Sequence, residues 1–235
     1  MPDQTIARQS VVDLLADRLR DDILDGTHPT GALLPPERDL AARYGVTRTT
    51  LKHALTRLEQ AGLLQTRHGI GTRIRDFLRD GGTDLLPALA AHDPGWLTDI
   101  FEARRDIGTL IARRAAARRT DEHTRRLRLL LAAVADAPDA DAAQLADMEV
   151  HRELARAGGN RVHLLLTNTL FRAYLPVRGA LRAPFEDPAV AADRLTPVVD
   201  AVTACRPDRA AEAAEHYLTA TEHLMLAALK AHRAG

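Results

Sequence analysis

LLPPERDLAARYGVTRTTLKHALTRLEQAGLLQTRHGIGTRI, residues 33–74, reads as helix, turn, helix and a short two-stranded wing. Pro35 and Pro36 end an extended segment, and proline is tolerated at a first helical position because the N–H there has no partner anyway. Glu37 to Tyr44 makes two helical turns with Leu40 and Ala41 facing inward. Gly45 breaks that helix, as a glycine just past a helix end commonly does. Val46 packs inward, and Thr47 is a good N-cap for a second helix because its hydroxyl accepts a free backbone N–H.

The second helix has two faces. Leu51, Ala54, Leu55, Leu58 and Ala61 recur at helical spacing on one side. Thr49, Lys52, His53 and Thr56 occupy the other, with Arg48 in the first turn and no acid before Glu59. A solvated surface is the plain reading of such a face. A short polar and basic side, with free N–H groups at the helix start, instead suits a phosphate backbone. Gly62 stops the helix. Leu63 to Arg67 and Thr72 to Arg75 read as strands joined by the tip His68-Gly69-Ile70-Gly71. A basic hairpin of this kind suits a minor groove or the DNA backbone.

These motifs, PERxLA at residues 36–41, GVTRTTLK at 45–52, Gly62-Leu63 and HGxG at 68–71, resemble the GntR family of bacterial transcription regulators, and its FadR branch most. The resemblance implies that Arg38, Arg48 and Lys52 reach base edges in the major groove. It further implies that Thr47, Thr49 and Thr50 hold phosphates and that His68 with Gly69 sits in the minor groove. Lys52 stands where the family usually has arginine, and an ammonium lacks the planar fork that grips guanine at two points.

The 235 residues suffice for one large or two small domains. Charge balances at 32 basic against 32 acidic residues, but not locally. Residues 36–75 carry eight Lys/Arg against three Asp/Glu, whereas residues 1–35 carry three against six. A basic patch confined to the motif suits DNA, with affinity that falls as salt rises. The single cysteine, Cys205, excludes a disulfide framework within the chain. No signal peptide is evident in the first thirty residues, which are laced with Asp and Arg. The longest apolar run, Leu129 to Ala135, falls far short of the ~20 residues a membrane span needs. The expectation is a cytoplasmic protein with no membrane partner.

Outside the motif the pattern is helical. Val12, Leu15, Leu19 and Ile23 mark an amphipathic helix from Ser10 to Asp25 that packs under the helix-turn-helix. Residues 77–92 read as a linker with a short helix around Leu85, Leu86 and Leu89. From Asp93 onward six helices follow: to Arg118, Asp121–Ala135, Asp141–Ala157, Asn160 to Arg178, one from Asp187-Pro188 kinked at Pro197, and one from Pro207 to the end. The expected fold is mainly α: a winged helix-turn-helix over residues 1–76, and an antiparallel six-to-seven-helix bundle over 93–235.

Polar residues fall on apolar faces of that bundle. Arg104 lies within the stripe Leu97, Ile100, Phe101, Ile107, Ile111 and Ala115, with Gly108 one turn later leaving room. It is either an internal salt-bridge partner or an anchor for an anionic ligand, since an unpaired buried guanidinium is costly. Asp147 and His151, four apart, share a face with Val150 and Leu154. They are either a hydrogen-bonded core pair or two metal ligands. Asn168 and Tyr174 lie near Leu164, Phe171 and Leu175, and Tyr217 shares a side with Ala213, Leu224 and Ala228. His216 and His223 share a solvated side with Arg209, Glu212, Thr219 and Lys230.

The FadR resemblance extends here through Glu102-Ala103-Arg104, Asp147, His151, Gly158-Gly159-Asn160 and the C-terminal helices. Many members hold a metal with one Asp and three His. Asp147 and His151 match the first two ligands, while the others fall near Leu195 and Tyr217, so the balance is against a metal. The type member of the branch binds long-chain acyl-CoA, and Asn168 and Tyr174 match its spacing after Asn160. The reading is a homodimeric regulator, not an enzyme, without a cofactor. It grips a double-stranded DNA operator and binds an acidic effector, acyl-CoA or a small carboxylate, around Arg104, Asp147, His151, Asn168, Tyr174 and Tyr217. The alternatives are a metal-dependent enzyme or metal-binding regulator using Asp147 and His151, and a helical interaction module tethered to DNA.

Overall fold

A computed structural model describes residues 10–234, in two compact units, Met1–His92 and Asp93–Gly235. Residues 1–9 and 235, part of the two expected domains, lie outside the described residues.

The first unit opens with α1 (Val11–Leu24), whose cap Ser10 and Asp13 bond reciprocally. Helices α2 (Glu37–Tyr44) and α3 (Arg48–Gln60) follow. Gly45 ends α2 at φ 64°, a left-handed conformation that glycine adopts without steric cost. Thr47 Oγ1 then accepts from the Thr50 N–H at 3.1 Å and starts α3. Leu15, Leu19 and Ile23 of α1 pack with Leu40, Leu51, Ala54, Leu55 and Leu58 in a core under the helix pair. Burying each leucine or isoleucine contributes roughly 1.5–3 kcal/mol. Tyr44 ties α2 to α1 by donating its hydroxyl to Asp22 at 2.5 Å. Partial burial and that carboxylate push Tyr44 up to about 12.

The wing is an antiparallel pair, β1 (Leu64–Arg67) and β2 (Gly71–Ile74), within a residue of the expected strands. Leu33 adds a bridge to Arg73, whose guanidinium donates to the Gly31 carbonyl at 2.9 Å. Glu59 at the end of α3 accepts from the Thr66 N–H at 2.9 Å and so fastens the wing to that helix. At Gly62 φ is 79°, and a Cβ there would stand 2.5 Å from the Asp80 carbonyl oxygen. Residues 77–92, read as a linker with a short helix, form α4 (Phe77–Asp80), a 3-10 turn and α5 (Leu86–His92), with Leu85 and Leu89 buried in the first unit.

The second unit is a bundle of α6 (Gly95–Arg118), α7 (Asp121–Ala135), α8 (Ala140–Ala157), α9 (Arg161–Tyr174), α10 (Pro188–Thr203) and α11 (Pro207–Ala234). α6 lies along α11 and also meets α8 and α9, while α10 packs on α7 and α11. Thr120, Asp139, Asn160 and Asp187 each cap a helix start with a side-chain oxygen. Two expectations are corrected. The fourth helix stops at Tyr174, not Arg178, and Leu175–Leu181 continues as a 3-10 helix. Pro176 has no N–H for the α-helical ladder. On α11 Leu224 is 41% exposed, and the buried stripe runs through Ala214, Tyr217, Leu218, Thr221, Met225 and Leu229. Tyr217 is on the edge of that stripe, so a residue seven further on has rotated out of it.

Candidate functional site

The first surface is built on α3. Its apolar stripe locks it into the core, and its opposite face is left to solvent: Thr47, Arg48, Thr49 and Lys52 are exposed, and Thr50 is half-buried. Arg48 and Lys52 take part in no ion pair among the described residues. Arg38 on α2 is exposed and pairs with its neighbour Asp39 at 3.2 Å. His68 and Gly69 are exposed at the wing tip, with Ile70 beside them. The structure thus carries all eight positions of the DNA-reading expectation on exposed or half-buried parts of one unit. A capped helix start with free N–H groups, followed by two unpaired cations, can hold phosphates and reach base edges.

The second site lies inside the bundle. Asp147 and His151 are on successive turns of α8, Arg104 reaches them from α6, and Tyr217 reaches them from α11. The Tyr217 hydroxyl donates to Asp147 Oδ1. Arg104 Nη2 lies 3.4 Å from His151 Nε2 and 3.7 Å from Asp147 Oδ2, and its Nε has no partner among the described residues. Burial pushes His151 down to about 4; Asp147 opposes that shift and Arg104 adds to it. The imidazole is therefore neutral, and its Nε2 accepts from the guanidinium. Burial likewise opposes the charge on Arg104, but the surrounding oxygens of Tyr174, Asp147 and Tyr217 hold it on. Burial, reinforced by Asp147, keeps Tyr217 protonated.

A small cavity of about 20 Å³ adjoins this cluster, lined by Arg104, His151, Ile107, Thr167, Phe171 and Leu218 among others. It is large enough for about one water-sized group. Gly108 lines this cavity too, and Leu218 closes in on it, its Cδ1 standing 2.6 Å from where an added Cβ would lie. Tyr174 packs against Phe171 and Phe101 at centroid separations of 5.9 Å, outside the cavity lining. Asn168 is also outside it, its Oδ1 accepting from Arg152 Nε at 2.9 Å. Thr167, Leu170 and Leu218 line the cavity and were not singled out in the sequence. Their one signal was spacing: Thr167 and Leu170 flank Asn168 and Phe171, and Leu218 follows Tyr217.

The donor set does not fit a metal. Leu195 is fully buried and apolar where the resemblance puts a third ligand. Tyr217, near the fourth, donates its hydroxyl to Asp147, and the Arg104 cation already lies 3.7 Å from Asp147 and 3.4 Å from His151. His216 and His223 are exposed. Among the described residues no group of three His, Cys, Asp or Glu is placed to share an ion. No helix of the described residues is long and apolar enough to cross a membrane.

Comparison with known proteins matches each unit to a family model. The model of bacterial regulatory proteins of the gntR family matches residues 12–74, and the FCD domain model matches residues 99–220. An HTH-type transcriptional regulator of Mycobacterium tuberculosis is 39% identical over 215 residues, 91% of this chain and 89% of its own. The fatty acid metabolism regulator protein of Edwardsiella ictaluri is 34% identical over 180 residues, 73% of this chain and 72% of its own. Among solved structures, Lar of Listeria monocytogenes has a TM-score of 0.63 at 12% identity, over 94% of this chain and 98% of its own, a likeness of fold. The chain belongs to the GntR family of transcription regulators, with a DNA-binding winged helix-turn-helix and an FCD ligand-binding domain.

Proposed function

We propose that this regulator reads its operator through Arg38, Arg48 and Lys52 and releases it when an acidic metabolite binds beside Arg104. The observation that carries the reading is the state of that arginine: buried, charged, bordering a cavity, and with Nε unpartnered. A buried guanidinium with a spare donor is a seat for a carboxylate. The printed name of the Edwardsiella relative, a fatty acid metabolism regulator, supports an acyl-derived effector. In the DNA-binding unit, Thr47, Thr49 and Thr50 hold phosphates, and His68 with Gly69 enters the minor groove. The regulator is a homodimer that grips two half-sites, as paired winged helices on a two-fold operator require.

Effector and DNA act on one equilibrium, so a ligand that favours the low-affinity arrangement lowers operator affinity by its own preference between the two. The test is an anisotropy titration against DNA selected from random sequence by the wild type. Arg48→Ala abolishes binding while its melting temperature stays within a degree or two of wild type. Wild-type affinity in that variant overturns the readout. Native mass spectrometry of the purified protein reports the dimer and any retained acid together.

A further inference from the structure

The wing carries an aliphatic side chain at its tip. Residues 66–71 are all exposed, and Ile70 among them is 59% exposed. Its backbone N–H donates to the Arg67 carbonyl at 3.1 Å, which closes the turn through His68 and Gly69 and sets Ile70 next to the apex. Scattered exposed aliphatic residues are ordinary on a protein surface. Three features set this one apart. A glycine stands on each side of it. Apart from chain neighbours, a Cβ on Gly69 would meet nothing within 4 Å, and one on Gly71 only Leu33 Cδ2, at 3.9 Å. The tip is therefore thin, with one bulky aliphatic group on it. Leu33, itself 48% exposed, lines the same groove as Ile70, so apolar surface continues from the tip toward the base of the wing. Arg67 and His68 beside it are exposed and take part in no ion pair among the described residues. A thin tip with an unpaired guanidinium and an aliphatic end suits a slot about 6 Å wide between phosphate walls, which is the form of the DNA minor groove.

We infer that Ile70 is a specificity-determining residue that selects an A·T pair under the wing. This rests on the reading that His68 and Gly69 enter the minor groove. There an A·T pair in either orientation shows only the acceptors adenine N3 and thymine O2, whereas a G·C pair adds the guanine 2-amino group, a donor. Ile70 packs against the A·T floor without covering a donor. Against G·C it buries an N–H that it cannot accept, and a buried donor left unpaired is costly. The selection acts by exclusion, so it adds to the major-groove contacts of α3 and does not duplicate them.

The test is an inosine scan by fluorescence anisotropy, with the full-length protein and the operator that wild type selects from random sequence. Each base pair of a half-site is set in turn to A·T, G·C and inosine·C; inosine keeps the major-groove face of guanine but lacks its 2-amino group. At one pair or two adjacent pairs, wild type binds A·T and inosine·C within about threefold of each other, and G·C about tenfold or more weakly. Ile70→Ser and Ile70→Asn, whose side-chain oxygens accept from the amino group, cut that penalty to about threefold or less and leave discrimination at the other pairs as in wild type. The comparison is made within each protein, so a change in overall affinity does not affect it. The assignment is overturned if every penalised pair treats inosine·C like G·C, or if the signature survives in both variants. His68→Ala separates that failure from failure of the underlying reading. Binding about tenfold weaker in that variant keeps the wing in the groove and removes only the role of Ile70. Wild-type affinity in it takes the wing out of the groove and the inference with it.

Discussion

Arg104 Nη2 stands 3.7 Å from Asp147 Oδ2 inside the helical bundle, an ion pair without a direct hydrogen bond. The carboxylate has its close donor in Tyr217, and among the described residues the guanidinium has the His151 Nε2 within hydrogen-bonding reach, at 3.4 Å. The cluster is thus electrically paired but geometrically loose, with donor capacity left over on the cation. A fully bonded pair would hold the core together but would have little to offer a ligand.

Removing the cation tests the pairing. Arg104→Met leaves Asp147 buried with Tyr217 as its one close donor, and a buried charge stripped of its partner costs about 3 kcal/mol or more. Urea denaturation should show that loss, and adding Asp147→Asn should recover more than about 1 kcal/mol of it. Additive losses in the double variant would show that the two groups do not interact.

Acid should weaken the fold through His151, whose imidazole is held down to about 4 from an ordinary 6.5. A lowered histidine value means that the unfolded chain takes up the proton first. Stability on this account is flat above 6.5 and falls as pH drops from 6.5 toward about 4, by up to about 3 kcal/mol. Urea melts across that window should therefore slope less steeply in His151→Gln than in wild type. Equal slopes would mean that the folded protein does not exclude the proton.

Tyr217→Phe deletes the hydroxyl that donates to Asp147 and keeps the ring. A lost hydrogen bond to a buried carboxylate costs about 1.5–3 kcal/mol. Chemical denaturation measures it, and a change within about 0.5 kcal/mol would contradict the bond's contribution.

In the DNA-binding unit, Gly62→Ala forces a side chain onto a backbone at φ 79° and into the Asp80 carbonyl at 2.5 Å. The expected destabilisation is about 1–3 kcal/mol. Because Gly62 joins α3 to the wing, salt-dependent operator affinity should fall as well. A variant that melts and binds like wild type would rule out the close approach.

Much of this was legible in the residues because the signals are local. Gly45, Thr47 and the stripe Leu51, Ala54, Leu55 and Leu58 specify the end of α2, the cap of α3 and its buried face within a few residues of chain. Asp147 and His151 were legible as a pair on one face and Arg104 and Tyr217 singly on apolar faces, and the structure brings the four together. Asn168 was placed on a face correctly near Phe171, yet it bonds Arg152 rather than lining the cavity. Leu224 was put on the wrong side because a seven-residue step drifts around a helix when its reference residue lies at a stripe's edge.

The sequence by itself determined the winged helix-turn-helix, its exposed basic face and the order of the bundle helices, since caps, breakers and hydrophobic period act between neighbours in the chain. Only the tertiary structure decided that Arg104 stops short of Asp147, that Leu218 closes in on Gly108, and that Gln144 is buried without a hydrogen-bonding partner among the described residues. Periodicity fixes which way a side chain faces. How far it reaches across to another helix depends on the axial offset between packed helices, which the sum of all their contacts sets.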